Sequence, residues 1–367
     1  MNYTNQHYEI AVTQLFGFGP IKTKQLLESV QEVRDLFEFS EKKLAELSGF
    51  DVRLLKKMER KKALLWSEKV VKDIEKYDIQ TLFYSHPNYP RRLKQCVDAP
   101  LLLYTRGAIN LNDSKFVAIV GTRNETEYGK RICKELIQSL EASNIIVVSG
   151  LAYGIDISVH KNCLKMNVPT VAVLAHGLEM VYPRIHQKTA KDMCLTGGLV
   201  TEFPPFTNPD RENFPMRNRI VAGLCDATIV IESQRKGGSL ITAELANDYN
   251  RDVFAFPGSV FELSSEGCNR LIASNKAHSI SNGADFLQKM GWNEEKSASK
   301  PVQKSIFPLL TDEEQLIVDL LQVQPEVSID LIAMKLQMPI SKLSVHLFQM
   351  EMSGILKPLP GNKCQLI

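Results

Sequence analysis

From residue 115 to residue 290 the chain repeats one pattern. A short, unbroken run of Val, Ile and Ala is followed by a longer segment with apolar residues at helical spacing. The runs are KFVAIVG, NIIVVSG, PTVAVLAHG, GGLVTEF, DATIVIES and DVFAFPG. Between them lie YGKRICKELIQSLEAS, GIDISVHKNCLKM, FPMRNRIVAGLC and GGSLITAELANDYN. A strand that is apolar at every position, rather than at alternate ones, must be covered on both faces. That is the condition of a parallel sheet with helices on each side. The pattern predicts an α/β fold, a Rossmann-like, doubly wound, mainly parallel sheet. Several runs end in Gly or Ser, which puts tight turns at the carboxyl edge, where sheets of this kind bind ligands.

The flanks read differently. Residues 1–75 predict short helices, a helix-hairpin-helix or SAM-like domain. Gly17 and Gly19 form a turn before an amphipathic run, and AELSGFDVRLLKKM repeats the plan around Gly49. Such turns can present backbone N–H groups to a phosphate; the alternative is a plain helical turn in which Gly permits positive φ. Residues 76–114 hold Pro87, Pro90 and Pro100, which interrupt helix, and LLLYTRG, which suits a short strand. They read as a connector packed on the core domain, 115–290. Residues 291–305 are polar, contain Pro301 and predict a linker. Residues 306–367 predict a winged helix: Thr311 stands in a capping-box position before a periodic apolar run, two further helices flank Pro339, and a two-stranded wing closes around Pro360-Gly361-Asn362.

Charge narrows the function. The chain has 44 Lys+Arg and 42 Asp+Glu, a net charge of +2. Residues 115–288 carry 18 of each sign, and residues 306–367 carry 4 basic against 7 acidic residues. A surface that grips phosphates must therefore be a local cluster. No run approaches the roughly 18 apolar residues of a membrane helix, and MNYTNQHYEIAV lacks the features of a signal peptide. Seven cysteines stand at 96, 133, 163, 194, 225, 268 and 364 with no CxxC pair. That predicts no zinc or thioredoxin-like site and fits a reducing cytoplasm.

Four loops at the carboxyl edge hold the candidate binding residues. Gly121, Thr122 and Arg123 close the first run; the spacing from Gly121 to Gly129 is too wide for a dinucleotide fingerprint, but a strand-to-helix turn still exposes N–H groups to an anion, and Arg adds a planar fork. Ser149 and Gly150, with Gly154, form a second such turn. Arg217, Asn218 and Arg219 read as the start of a helix, where two cations oppose the helix dipole and a bound anion would offset the cost. Arg235, Lys236, Gly237, Gly238 and Ser239 precede another helix, where Gly lets backbone approach a ligand. Asp156 and His160, four apart, share a helix face and predict a structural contact between them. His176, Tyr182, Pro183, Arg184 and His186 read as packing and loop-fixing residues, because no nucleophile elbow or acidic dyad accompanies them. Several loops suit a linear polyanion better than a single mononucleotide.

At these residues the chain resembles the DprA/Smf family of DNA-processing proteins of natural transformation. The resemblance rests on VAIVGTRNETEYG, SGLAYGIDISVH, TVAVLAHGLEMVYPRIH, FPMRNRIVAGL and GGSLITAELA–DVFAFPG, in family order across 115–285, with YPRRLKQCVDAPLLLYTRG ahead of them. It implies a non-catalytic homodimer that binds single-stranded DNA, protects incoming DNA and loads the RecA recombinase, with no cofactor or metal. By motif position, DNA would contact Gly121, Thr122, Arg123, Ser149, Gly150, Arg217, Asn218, Lys236, Gly237, Gly238 and Ser239. Two departures stand out: Gly237-Gly238-Ser239 replaces the usual Ser-Gly-Ser, and SVHKNCL replaces small apolar residues. The acidic winged helix offers Lys342, Ser344, His346 and Gln349 but few cations on its recognition helix, after Pro339, which favours a protein-contact or auxiliary role over duplex binding.

The rival reading is an enzyme. The same Rossmann variant resembles the LOG-type nucleotide phosphoribohydrolases, with the signature P-G-G-x-G-T-x-x-E. Gly237, Gly238 and Glu244 share its spacing, but Leu240 and Ile241 replace its later Gly and Thr. The loss argues against hydrolysis and for a structural Glu244. A partner-binding scaffold is a further alternative.

Overall fold

A computed structural model describes residues 3–108, 110–112, 114–292, 310–324, 327–353, 355–359 and 363–366. The chain divides into two units, Met1–Asn293 and Glu294–Ile367, each with its own hydrophobic core. From residue 293 onward the expected linker lies outside the described residues.

The first unit is built on nine strands: β1 (Gln80–Phe83), β2 (Leu102–Gly107), β3 (Lys115–Val120), β4 (Ile145–Ser149), β5 (Thr170–Val173), β6 (Gly198–Thr201), β7 (Ala227–Val230), β8 (Asp252–Ala255) and β9 (His278–Ser279). They form one sheet in the order β1-β2-β6-β5-β4-β3-β7-β8-β9. The strands from β6 to β9 are parallel. The β1–β2 hairpin extends the β6 edge in the antiparallel sense. Residues 76–114 are thus part of the sheet, beyond the packed connector read from sequence. β1 carries little sequence signal because four residues are too few to show a period.

Helices cover both faces. α8 (Glu127–Leu140), α9 (Ile155–Lys165) and α14 (Gly283–Lys289) bury Ile132, Leu136, Val159 and Phe286 on one face, against Val117, Val147 and Ile229. On the other, α7 (Arg91–Lys94), α11 (Asn213–Leu224), α12 (Gly238–Asp248) and α13 (Glu266–Ala273) pack Leu93, Ile220, Ala243 and Leu271 against Phe116, Val148 and Val230. α10 (Gln187–Met193) precedes β6. This two-sided burial is why the strands read as continuous apolar runs.

The N-terminal helices are α1 (Asn5–Ala11), α2 (Pro20–Glu28), α3 (Asp35–Glu38), α4 (Glu41–Ser48), α5 (Val52–Lys56) and α6 (Arg60–Lys76). Gly17 and Gly49 take φ of 80° and 73° in the turns before α2 and after α4. Ile10, Leu26, Leu44 and Met58 belong to the same apolar cluster as Leu102, Tyr104, Leu174 and Leu199. The helices therefore share a core with the sheet edge instead of ending as a separate body at residue 75.

The second unit runs α15 (Asp312–Val323), β10 (Val327–Ser328), α16 (Ile329–Leu336), α17 (Ile340–Met352), β11 (Leu356–Leu359) and β12 (Lys363–Leu366), with strand order β10-β12-β11. That is a winged helix. The capping box forms: Glu314 N donates to Thr311 Oγ1 and Thr311 N to Glu314 Oε2. The expected wing turn at 360–362 lies outside the described residues. On α17, Lys342 and His346 both pair with Glu313 of α15, and Ser344 Oγ donates to the Ile340 carbonyl. Ile340, Val345, Phe348 and Met352 are its large exposed apolar side chains. No helix among the described residues is long and apolar enough to cross a membrane.

Candidate functional site

The strand order reverses at β3, which has β4 on one side and β7 on the other. Chains leaving β3 and β7 go to opposite faces, so their carboxyl ends open a crevice. The loops there are tied by backbone. Thr122 N donates to the Glu232 carbonyl at 2.7 Å, and the Thr122 carbonyl accepts from Ile155 N at 3.1 Å. A Cβ on Gly121 would lie 2.4 Å from Ile155 Cγ1, so only Gly lets the β3 turn close on α9. Glu232, buried after β7, accepts from Thr126 N and Oγ1 at 3.0 and 2.5 Å and anchors the start of α8. Glu232 was absent from the sequence reading, because a lone Glu after a strand carries no local signal.

The crevice is a cleft of about 290 Å³ lined by Gly121, Thr122, Arg123, Asn218, Gly237, Gly238 and Ser239, among others. No side chain caps α12, whose first turn opens into it. The N–H groups of Gly238 and Ser239 at its start, with the helix dipole, suit an anion. Arg123 is exposed, with its guanidinium carbon 5.4 Å from the centre of the Phe214 ring. A second cleft of about 560 Å³ adjoins it, lined by Arg123, Phe214, Arg211, Tyr153 and Tyr182. Tyr153 and Tyr182 are about half exposed, at 51% and 47%. Phe214, Arg211 and Tyr153 were not singled out from sequence; only the fold brings them beside Arg123.

Four sequence expectations need correction. Arg217 and Arg219 do not start a helix: α11 begins at Asn213, so both lie in its interior and the dipole argument fails. Arg217 is 5% exposed and donates through Nη1 to the carbonyls of Gly150 and Val173, each at 2.5 Å. Its charge faces Asp156, and burial pushes the Asp156 carboxyl up and the guanidinium down, each opposed by the other's charge. Arg217 thus holds the cleft floor, and its fork is committed to protein. A Cβ on Gly150 would lie 2.3 Å from Arg217 Nη1, so Arg217 in this position requires Gly at 150. Arg219 pairs with Glu202 and donates to the Asp98 carbonyl.

The second correction is Ser149, whose buried Oγ donates to the Ile119 carbonyl and is turned from the cleft. Ser239 is also largely buried, its Oγ donating to Ser233 Oγ. The third is Lys236: it is exposed, but it lines the neighbouring cleft across the first turn of α12, with Arg235 and Glu244. The fourth is Asp156 and His160, which do not pair. Asp156 Oδ2 accepts from the backbone N–H groups of Gly150 and Ala152, while His160 Nδ1 bonds Thr170 Oγ1. The remaining histidines fix loops. His176 Nε2 accepts from Tyr182 N, and His186 Nδ1 bonds the Leu151 carbonyl.

Burial pushes the His160 imidazole down to about 3. The unfolded chain binds this proton below about pH 6.5 and the folded chain does not, so stability is present above that value and lost as pH falls toward 3. Below pH 6 the wild-type unfolding free energy should fall faster than that of His160→Gln, by up to about 1.4 kcal/mol per pH unit. Urea unfolding across pH measures it; parallel pH profiles would remove this contribution.

Fold and cleft together define a Rossmann-like protein with an anion-competent crevice at its switch point, carrying a winged helix in the same chain. The chain belongs to the DprA/Smf family. The family model described as DNA recombination-mediator protein A matches residues 80–291, and the DprA winged helix domain matches residues 302–362. Protein Smf of Synechocystis sp. is 35% identical over 295 residues, 79% of this chain and 74% of that protein. The structure of DNA processing protein A from Streptococcus pneumoniae aligns with a TM-score of 0.67 at 31% identity, covering 79% of this chain and 99% of that one. DNA processing protein A from Helicobacter pylori, described for its single-stranded DNA binding mode, aligns with a TM-score of 0.53 at 30% identity over 58% of this chain and 95% of that one.

Proposed function

We propose that this protein binds single-stranded DNA without sequence preference at the β3–β7 crevice, protects incoming DNA during uptake and loads the RecA recombinase onto it. It acts as a cytoplasmic homodimer and has no catalytic turnover. One observation carries the reading: an exposed cation, Arg123, lies over an aromatic ring, Phe214, at a cleft edged by the uncapped start of α12. Phosphate meets cation and N–H groups, and a base meets the ring; neither contact reads sequence. The single-stranded DNA binding mode described for the Helicobacter pylori relative supports it. RecA loading and dimerisation rest on family membership.

Anisotropy titration of a labelled oligothymidylate across salt tests the reading. With two or three phosphates neutralised, the log–log slope should be about −1.4 to −2.1, at roughly −0.7 per phosphate. Absence of binding at low salt would reject it. Faster RecA assembly on strands already coated by a single-strand-binding protein tests the loading role, and unchanged assembly would remove that part.

The hydrolase reading is disfavoured by the position of Glu244. It lies outside the principal cleft, 3.4 Å from Lys276 Nζ. Release of free base from nucleoside monophosphates would restore it. The winged helix fits a protein-contact or auxiliary role: its net charge is acidic, and Lys342 and His346 are engaged by Glu313.

A further inference from the structure

Lys236 sits one residue before the glycines that edge the principal cleft, yet it faces a different cavity. That cavity, about 330 Å³, lies on the other side of the first turn of α12. Its charged lining is Arg235, Lys236, Arg270 and Lys276 against Glu244. Four lining cations, against Glu244 in the lining and Glu266 beside Arg235, leave a local positive excess on a region whose overall charge is balanced. Arg270, Lys236 and Lys276 are all exposed. The ion pairs present are loose: Arg235 Nη1 to Glu266 at 3.8 Å, with side chains 67% and 43% exposed, and Lys276 Nζ to Glu244 at 3.4 Å, 53% and 59% exposed. Pairs so wet contribute little and yield readily to a stronger anion.

The two cavities are contiguous. Gly237 and Ile241 line both, so the first turn of α12 is a low ridge between them. At the crest, a Cβ on Gly238 would meet no heavy atom within 4 Å, which leaves the ridge open to a passing chain. A mononucleotide would fill one cavity and leave the other idle. A linear polyanion crossing the ridge would use both sets of cations.

We infer that the cavity of Arg235, Lys236, Arg270 and Lys276 is a second phosphate-binding segment, in which a DNA single strand continues after crossing the Gly237–Gly238 ridge from the principal cleft. This rests on the reading of that cleft as a single-strand site and adds the strand's path and the cations that hold its continuation. The segment grips backbone phosphates alone, since no aromatic side chain lines it. It should contribute affinity that grows with strand length and falls with salt.

The test compares the full-length protein with the Arg270→Gln/Lys276→Gln variant on two oligothymidylates. One has about 6 nucleotides, near the lower end of the roughly 4–16 that single-strand grooves commonly cover, and the other about 20, beyond its upper end. Both replaced side chains are exposed, and circular dichroism checks that the variant is folded. The wild type should bind the long strand more tightly than the short one. The variant should match it on the short strand. On the long strand it should lose about twentyfold in 0.1 M salt, with a log–log slope shallower by about 1.4, the value for two phosphates. An equal loss at both lengths, or an undiminished gain with length, overturns the second segment and leaves the principal site standing. Failure of the wild type to bind either strand overturns both.

Discussion

Replacing Arg217 with Met should destabilise the folded protein by about 3–5 kcal/mol, the usual penalty for leaving a buried charge uncompensated. Arg217 and Asp156 are both buried, at 5% and 8% exposure. Removing the guanidinium leaves the carboxylate without its counter-charge and also takes the donor from the Gly150 and Val173 carbonyls. Met fills comparable volume, so the loss is electrostatic rather than a cavity. The Arg217→Met/Asp156→Asn double variant should recover part of it, because an amide needs no cation beside it. Urea unfolding of the four proteins in the cycle measures the coupling. A single-variant loss below about 1 kcal/mol, within the range of an exposed pair, would refute the clamp assigned to Arg217.

Replacing Arg123 and Phe214 together by Ala should weaken single-strand binding about a hundredfold while leaving the fold intact. Stacking of a base on an aromatic ring contributes about 1–3 kcal/mol. A charge-assisted phosphate contact adds about 1–2 kcal/mol more, and about 1.4 kcal/mol is tenfold. Arg123 is exposed and Phe214 half-buried at the cleft rim, so neither change opens the core. Since the two side chains touch, the single losses should not sum to the double loss. Oligothymidylate titration in constant salt checks this. Wild-type affinity in the folded double variant would move the DNA elsewhere.

The six central strands, β3 to β8, were legible because burial on both faces marks every strand position, and their carboxyl-edge loops followed from where the runs end. The winged helix was legible from Thr311, Glu314 and the periodic runs after them. The start of α11 was not. Arg217 and Arg219 read as the start of that helix, but Pro is tolerated in a first turn, where N–H groups lack partners, so α11 begins ahead of Pro215, at Asn213. That shift carried Arg217 into the interior. Asp156 and His160 share a helix yet find separate partners, since backbone N–H groups and Thr170 lie closer to hand than they do to each other.

By itself the sequence determined the α/β class, the alternation of the six central strands with α8, α9, α11 and α12, the winged helix and the loops that must carry a ligand. These depend on local period, turn chemistry and which positions can be buried, all of which are written along the chain. Only the tertiary structure decided what each cation does. Arg123, Arg217, Arg219 and Lys236 are alike as isolated residues, yet one lies exposed over a ring, one is buried and donates to the Gly150 and Val173 carbonyls, one pairs with Glu202 and one turns into the neighbouring cleft. A cation's role is set by the partner it meets, and those partners come from distant segments: the Gly150 carbonyl that receives Arg217 lies 67 residues away. No local pattern carries that pairing, because it exists only once the sheet has brought the loops to one edge.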